Sequence, residues 1–205
     1  MSKETLEFHE FEVKFRMDEA QLNAWKQLII NYKKENEDSY KEFIYIDSDD
    51  VYYVKDVSSE DVEYDFIRYR FSDSKKDKRA ELTTKKKLKD TNNIKRIEYN
   101  VRVDNNSKET VDGFVTGLGY NINFRIMKFV SIYKFKDATL PFYTVVDDSG
   151  NRQSFCEIEV DEELLHKIDE EEAWEIVKKY EKILEPLGVS PQKRLRKSLY
   201  EMYKK

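Results

Sequence analysis

Charged and apolar residues alternate strictly along Glu10-Phe11-Glu12-Val13-Lys14-Phe15-Arg16. That period of two is the period of a β-strand, so Phe11, Val13 and Phe15 share one face while Glu10, Glu12, Lys14 and Arg16 share the other. The same alternation places Arg68 and Arg70 on one face of Phe66 to Arg70, and Arg96, Glu98, Asn100 and Arg102 on one face of Ile94 to Val103. It also places Glu157, Glu159 and Asp161 on one face of Phe155 to Asp161. Further strand-like segments run from Tyr40 to Asp47, Val51 to Val54, Val62 to Phe71, Arg79 to Lys87, Asn123 to Phe135, Phe142 to Val146 and Gln153 to Val160. Polar turns separate them at Ser72 to Asp77, Asp90 to Asn93 and Asp147 to Asn151.

Helical spacing takes over in four places. Asp18-Glu19-Ala20 opens a helix with an acidic first turn, and Leu22, Trp25, Leu28, Ile29 and Tyr32 form its apolar stripe. Ser107 to Leu118 carries a second stripe of Val111, Phe114, Val115 and Leu118. Two helices are predicted to close the chain, from Glu162 to Glu185 and from Ser190 to Tyr203, with Gly188 past the first and Pro191 in the first turn of the second.

The pattern predicts an α+β protein with about eight antiparallel strands, and no linker rich in Pro, Gly or Ser divides it. Residues 1–205 are expected to form a single domain with C-terminal helices over 162–203. Closing eight strands into a barrel would remove every exposed edge and create one central space. The charged faces would then point inward, and Phe11, Val13, Ile97, Tyr99, Ile158 and Val160 would pack outward against the helices.

Composition narrows the partners. The 205 residues are 39% hydrophobic and 39% charged, but an aromatic share of 14% argues against disorder. A net charge of −5 excludes a general binder of double-stranded DNA, so any polyanion site must be local. The single Cys156 excludes an internal disulfide framework and fits a reducing compartment. No apolar run is long enough for a membrane helix and no signal-peptide core opens the chain, which predicts a soluble cytoplasmic protein. Two histidines and one cysteine argue against zinc.

Each charged constellation has a functional and a bland reading. Glu10, Glu12, Glu157 and Glu159 could hold a hard divalent cation, Mg²⁺ or Mn²⁺, through carboxylate oxygens, or could be solvated strand faces. Asp161 could instead cap the following helix. Lys14, Arg68, Arg70, Lys85, Lys87, Arg96 and Lys128 are candidate phosphate ligands, because a polyphosphate needs several cations drawn from different strands. Lys86 and Lys89 read as solvated, Arg96 and Glu98 could simply pair, and Lys193, Arg194, Arg196 and Lys197 read as a solvated helix face. His9 lies on the apolar face of its strand and suggests packing, His166 reads as exposed, and Cys156 reads as a small buried hydrophobe.

Taken in order, these elements resemble the CYTH, or triphosphate tunnel metalloenzyme, superfamily. Glu10, Glu12 and Lys14 match its opening Glu-x-Glu-x-Lys. Arg68 and Arg70 match a paired Arg-x-Arg, Leu82 to Lys85 a Leu-x-x-Lys strand, and Arg96 with Glu98 an Arg-x-Glu strand. Lys128 and the late Glu157-x-Glu159 follow, and Leu187-Gly188-Val189 with Lys197-Ser198-Leu199-Tyr200 resembles the closing helices. The chain departs at Lys128-Phe129-Val130, where the family often has Lys-x-Arg, at Asn100, where a further acid often sits, and at Asp147 to Gln153, which replaces a glycine-rich approach to the last strand.

The resemblance implies an eight-stranded tunnel that binds a triphosphate with Mg²⁺ or Mn²⁺. The implied activity is hydrolysis of inorganic triphosphate, a nucleoside triphosphate or an RNA 5′-triphosphate end, with Glu10, Glu12 and Glu98 among the catalytic residues. A class IV-type adenylate cyclase, which makes cyclic AMP and pyrophosphate from ATP, is the first alternative. A non-catalytic module for a nucleotide or RNA end is the second. A homodimer stays open.

Overall fold

The computed structural model describes residues 10–55, 66–74, 77–87 and 94–205. His9, Lys89, residues 62–65 and the predicted turn at 90–93 lie outside the described residues, as does the side chain of Lys87. Strand β1 (Glu10–Met17) leads into helix α1 (Glu19–Glu35), then β2 (Tyr40–Lys55), β3 (Ile67–Ser74), β4 (Asp77–Lys87) and β5 (Lys95–Arg102). Helix α2 (Lys108–Gly117) precedes β6 (Tyr120–Phe135), β7 (Ala138–Asp147) and β8 (Arg152–Val160). The chain closes with α3 (Glu162–Leu165), α4 (Glu170–Leu184) and α5 (Leu199–Tyr203).

All eight strands form one closed antiparallel barrel in the order β1-β5-β4-β3-β2-β6-β7-β8. The helices lie against it, so the α+β barrel expected from the sequence is the observed fold. Residues 40–55 form one strand rather than two. The polar run Asp47 to Asp50 that suggested a break is instead paired continuously with β6, from Asp47 opposite Phe129 to Asp50 opposite Ile126.

Local chemistry explains the helix starts. The Asp18 side chain accepts from the Gln21 amide while the Gln21 side chain accepts from the Asp18 amide, a capping box that fixes the entry to α1. Asp169 and Glu172 repeat the device at α4, and Asp161 caps α3 by accepting from the Leu164 amide. The predicted helix from Glu162 to Glu185 is therefore two helices, because Asp169 starts a second one. The predicted helix from Ser190 shrinks to a single 3₁₀ turn at Pro191–Lys193, then five residues of α5. Arg194, read as part of a solvated helix face, instead donates two hydrogen bonds to Glu181 at 2.6 and 2.7 Å and lies 4.6 Å over the Trp174 ring.

Three apolar cores follow from strand parity. Outside the barrel, Phe11, Val13, Phe15, Ile158 and Val160 pack with Trp25 of α1 and Val177 and Tyr180 of α4. The Trp25 and Phe142 rings stack at 4.0 Å. Val51, Tyr53 and Tyr69 pack against Val111 and Val115 of α2. The outward side of β5 departs from expectation, since Tyr99 is 50% exposed and Val101 60%. The remaining core lies inside the barrel, where Tyr52, Phe66, Phe124, Val145 and Phe155 share parity with the charged residues and pack around Leu199 and Tyr200 of α5. Tyr52 stacks on Phe124 at 4.4 Å and Tyr200 packs on Phe66 at 4.8 Å. The amide of Leu195 donates to the carbonyl of Lys14 at 2.8 Å, which fixes the approach of α5 to this end of the barrel.

Candidate active site in the barrel interior

A cavity of about 630 Å³ occupies the rest of the barrel. Pairing between strands sets its charged lining. Glu12 lies opposite Glu159, Lys14 opposite Glu157 and Glu10 opposite Arg96. Lys85 lies opposite Glu98, Arg68 opposite Thr83, and Asp50 is flanked by Arg70 and Ile126. The structure brings together Glu10, Glu12, Lys14, Arg68, Arg70, Lys85, Arg96, Glu98, Lys128, Glu157 and Glu159 around this one space. Lys87 is placed only by its backbone, opposite Arg96.

These groups sit away from bulk water. Glu10, Glu12 and Lys14 are each only 6–7% exposed. Arg96 is held by Glu12 at 2.5 Å and lies 3.5 Å from Glu10, so its described partners include two carboxylates of β1 rather than Glu98 alone. Lys85 bridges Glu10 at 2.7 Å and Glu98, while Lys14 bridges Glu157 at 2.9 Å and Glu12 at 3.5 Å. Burial alone would raise the Glu12 carboxyl, but Arg96, Lys14 and Lys85 outweigh it and hold that group well below the carboxylate range. Glu98 follows the same balance, held at about 2 by Lys85 and Arg68 against its burial.

Compensation is uneven around the barrel. On the β1–β8 side, Glu159 makes no ion pair among the described residues. Its burial and the neighbouring Glu10, Glu12 and Glu157 push its carboxyl well above the ordinary range. Glu10 is also raised, by burial first and Glu12 second, and its buried Oε2 accepts no hydrogen bond. On the β3–β2–β6 side the excess is positive. Arg68 donates to Thr83 at 2.9 Å, and Lys128 lies 4.2 Å over the Tyr143 ring; neither has a carboxylate at ion-pair distance among the described residues. Burial and the neighbouring Arg70 depress the Lys128 ammonium to about 7, against Asp50 and Glu157.

Three contributors escaped the sequence reading. Asp50 is fully buried and takes both Arg70 hydrogen bonds at 2.8 Å. The Tyr143 hydroxyl donates to Glu157 at 2.6 Å, and Thr83 donates to Asn100 at 2.7 Å. The available signal for Asp50 was its parity with Ile46 and Tyr52.

Among the described residues, no three His, Cys, Asp or Glu side chains converge as a formed metal centre. The carboxylates are instead interleaved with Lys14, Lys85 and Arg96. The donor chemistry still fits a hard cation, because the buried Glu10 Oε2 accepts no hydrogen bond and has only Arg96 at 3.5 Å, and the half-buried Glu159 makes no ion pair among the described residues beside three other acids.

No protein-family profile matches the sequence, and no curated protein matches it. Solved structures do. A conserved hypothetical protein from Pyrococcus furiosus is 23% identical, with 94% of this chain and 98% of that one covered and a TM-score of 0.66. A Vibrio parahaemolyticus protein provisionally described as an adenylate cyclase is 12% identical over 95% and 97% of the two chains, with a TM-score of 0.62. A Hippeastrum protein provisionally called an adenylyl cyclase, described as having a dominant triphosphatase activity, is 12% identical over 95% and 94%, with a TM-score of 0.58. The resemblance read from the sequence holds at the level of the fold. No helix among the described residues is long and apolar enough to cross a membrane.

Proposed function

We propose that this protein is a divalent-cation-dependent triphosphatase that binds its substrate inside the barrel. The observation that carries the proposal is the division of one cavity lining, with Glu159, which makes no ion pair among the described residues, beside Glu10, Glu12 and Glu157 on β1 and β8, and with Arg68 and Lys128, which have no carboxylate at ion-pair distance among the described residues, on β3 and β6. A metal–triphosphate complex has the complementary polarity. A Mg²⁺ or Mn²⁺ ion held by Glu10, Glu12, Glu157 and Glu159 would neutralise phosphate charge and polarise the terminal phosphoryl group.

The chain's own residues carry the rest. Arg68, Arg70 and Lys128 face the phosphates with fixed donors, so they stabilise charge developing on the phosphoryl oxygens without reorganising. Asp50 holds the Arg70 fork in place. Lys85 on β4 and Arg96 on β5 lie between the acidic and basic sides, and Lys14 pairs with Glu157 and Glu12 on the acidic side. Glu98, kept ionised by Lys85, is the acid left to orient a water. Burial lets each interaction act at higher strength than in bulk solvent.

The triphosphatase activity described for the Hippeastrum protein supports this reading, and the adenylate cyclase description of the Vibrio protein supports the rival. A product-resolved incubation separates them. Purified protein with Mn²⁺ and ATP should release orthophosphate and ADP. Cyclic AMP with pyrophosphate would instead establish cyclisation.

A further inference from the structure

Arg68 differs from the other arginines of the cavity lining in what holds it. Arg70 is tied to Asp50, and Arg96 to Glu12 and Glu10. Arg68 is 8% exposed, its Nε has no hydrogen-bond partner among the described residues, and its Nη2 donates to a neutral group, the Thr83 hydroxyl, at 2.9 Å. Strand pairing sets Arg68, Thr83 and Asn100 side by side across β3, β4 and β5. Thr83 donates to Asn100 Oδ1 at 2.7 Å, and Asn100 Nδ2 donates to Glu98 at 2.9 Å. One line of hydrogen bonds thus joins a buried cation to an acid of the same cavity.

Only one order of protons satisfies that line. A guanidinium can only donate, and an ionised carboxylate can only accept. Thr83 must therefore accept from Arg68 and pass its single proton to Asn100, whose amide turns its oxygen to Thr83 and its nitrogen to Glu98. The Glu81 carboxylate, 3.4 Å from the same hydroxyl, is the weaker competitor for that proton. Both links need a group that accepts and donates, and neither adds a charge. A carboxylate at position 100 could not donate to Glu98, and a methyl at position 83 could do neither. We propose that Thr83 and Asn100 are positioning residues, a neutral bridge that aims Arg68 and Glu98 at one bound phosphoryl group without cancelling the charge of either. A counter-ion in place of Thr83 would hold Arg68 as firmly but would compete with the anionic substrate for its donors. The proposal rests on the triphosphatase reading and adds to it two residues that act through their neighbours.

The test uses the full chain and the variants Thr83→Val, Thr83→Ser and Asn100→Asp. Calorimetric titration with sodium tripolyphosphate, without a cation, should show binding weakened on the order of tenfold in Thr83→Val, the worth of one hydrogen bond to a charged group. Thr83→Ser keeps the hydroxyl and should recover most of that loss. Mn²⁺ affinity, read from the electron paramagnetic resonance of the free ion, should stay at the wild-type value in Thr83→Val, because no carboxylate of β1 or β8 belongs to the bridge. Asn100 is exposed, so its substitution disturbs little packing. Asn100→Asp should lower kcat for Mn²⁺-dependent phosphate release on the order of tenfold, as Glu98 loses its aim. Thr83→Val that binds tripolyphosphate like the wild type, or loses tripolyphosphate and Mn²⁺ affinity together, overturns the proposal and leaves the triphosphatase reading intact. Wild-type turnover by Asn100→Asp does the same, and it decides the matter if Thr83→Val fails to fold. A wild-type chain that binds no tripolyphosphate, or releases no phosphate from tripolyphosphate or ATP, overturns both.

Discussion

Asp50 accepts both hydrogen bonds of the Arg70 guanidinium fork at 2.8 Å from a position with no solvent exposure. Ser48 donates to the same carboxylate at 3.1 Å. Burial would raise the Asp50 carboxyl, but Arg70, Arg68 and Lys128 overcome it and hold the group far below its ordinary value. Asp50→Asn strands Arg70 without its counter-ion, so a loss of about 3 kcal/mol in unfolding free energy is expected from denaturant titration. Because Arg70 also loses its fixed orientation, KM for the triphosphate should rise more than kcat falls.

The Lys128 ammonium has a pKa of about 7, set by burial and Arg70. Below that pH the free protein carries the charge that a phosphate needs; above it, binding must also take up a proton. Triphosphate affinity should therefore fall as pH rises through 7, by up to tenfold per pH unit. Lys128→Arg keeps its charge throughout and should flatten the profile in direct binding titrations. Asp50→Asn removes a charge that favours the protonated lysine and should move the same limb to lower pH.

Glu159 is the acid whose charge is least compensated. Its folded-state pKa is raised, so the stability it contributes is fully present below the ordinary carboxylate range and is lost as pH rises through the raised value. Glu159→Gln should raise the metal-free melting temperature at neutral pH by about 2–4 °C for each kcal/mol of repulsion removed. The same variant should show a smaller thermal shift on adding Mn²⁺. A melting curve unaffected by the substitution in both conditions counts against Glu159 as a cation ligand.

Much of the barrel was legible because a polar interior leaves period-two charge on strands that also bury an apolar face. Glu10, Glu12 and Lys14 alternate with Phe11, Val13 and Phe15 without interruption, and Glu157 and Glu159 alternate with Cys156 and Ile158. Asp50 was hidden because Asp47-Ser48-Asp49-Asp50 has turn-like composition, and its continuation as strand depends on pairing with a distant β6. Tyr143 was hidden for a related reason. Its ring belongs to the internal apolar core, and only the fold reveals that its hydroxyl reaches Glu157. The C-terminal segment misled by composition, since Arg194 finds its partner Glu181 on another helix.

The most direct test of the central claim is Mn²⁺-dependent phosphate release by the wild-type chain and by Glu12→Ala. Glu12 lies beside Arg96, Lys14 and Glu159 on the acidic side of the cavity. Release that requires the cation in the wild type and is lost in a folded Glu12→Ala protein is the predicted result. Equal release by the two proteins, or release indifferent to the cation, contradicts it.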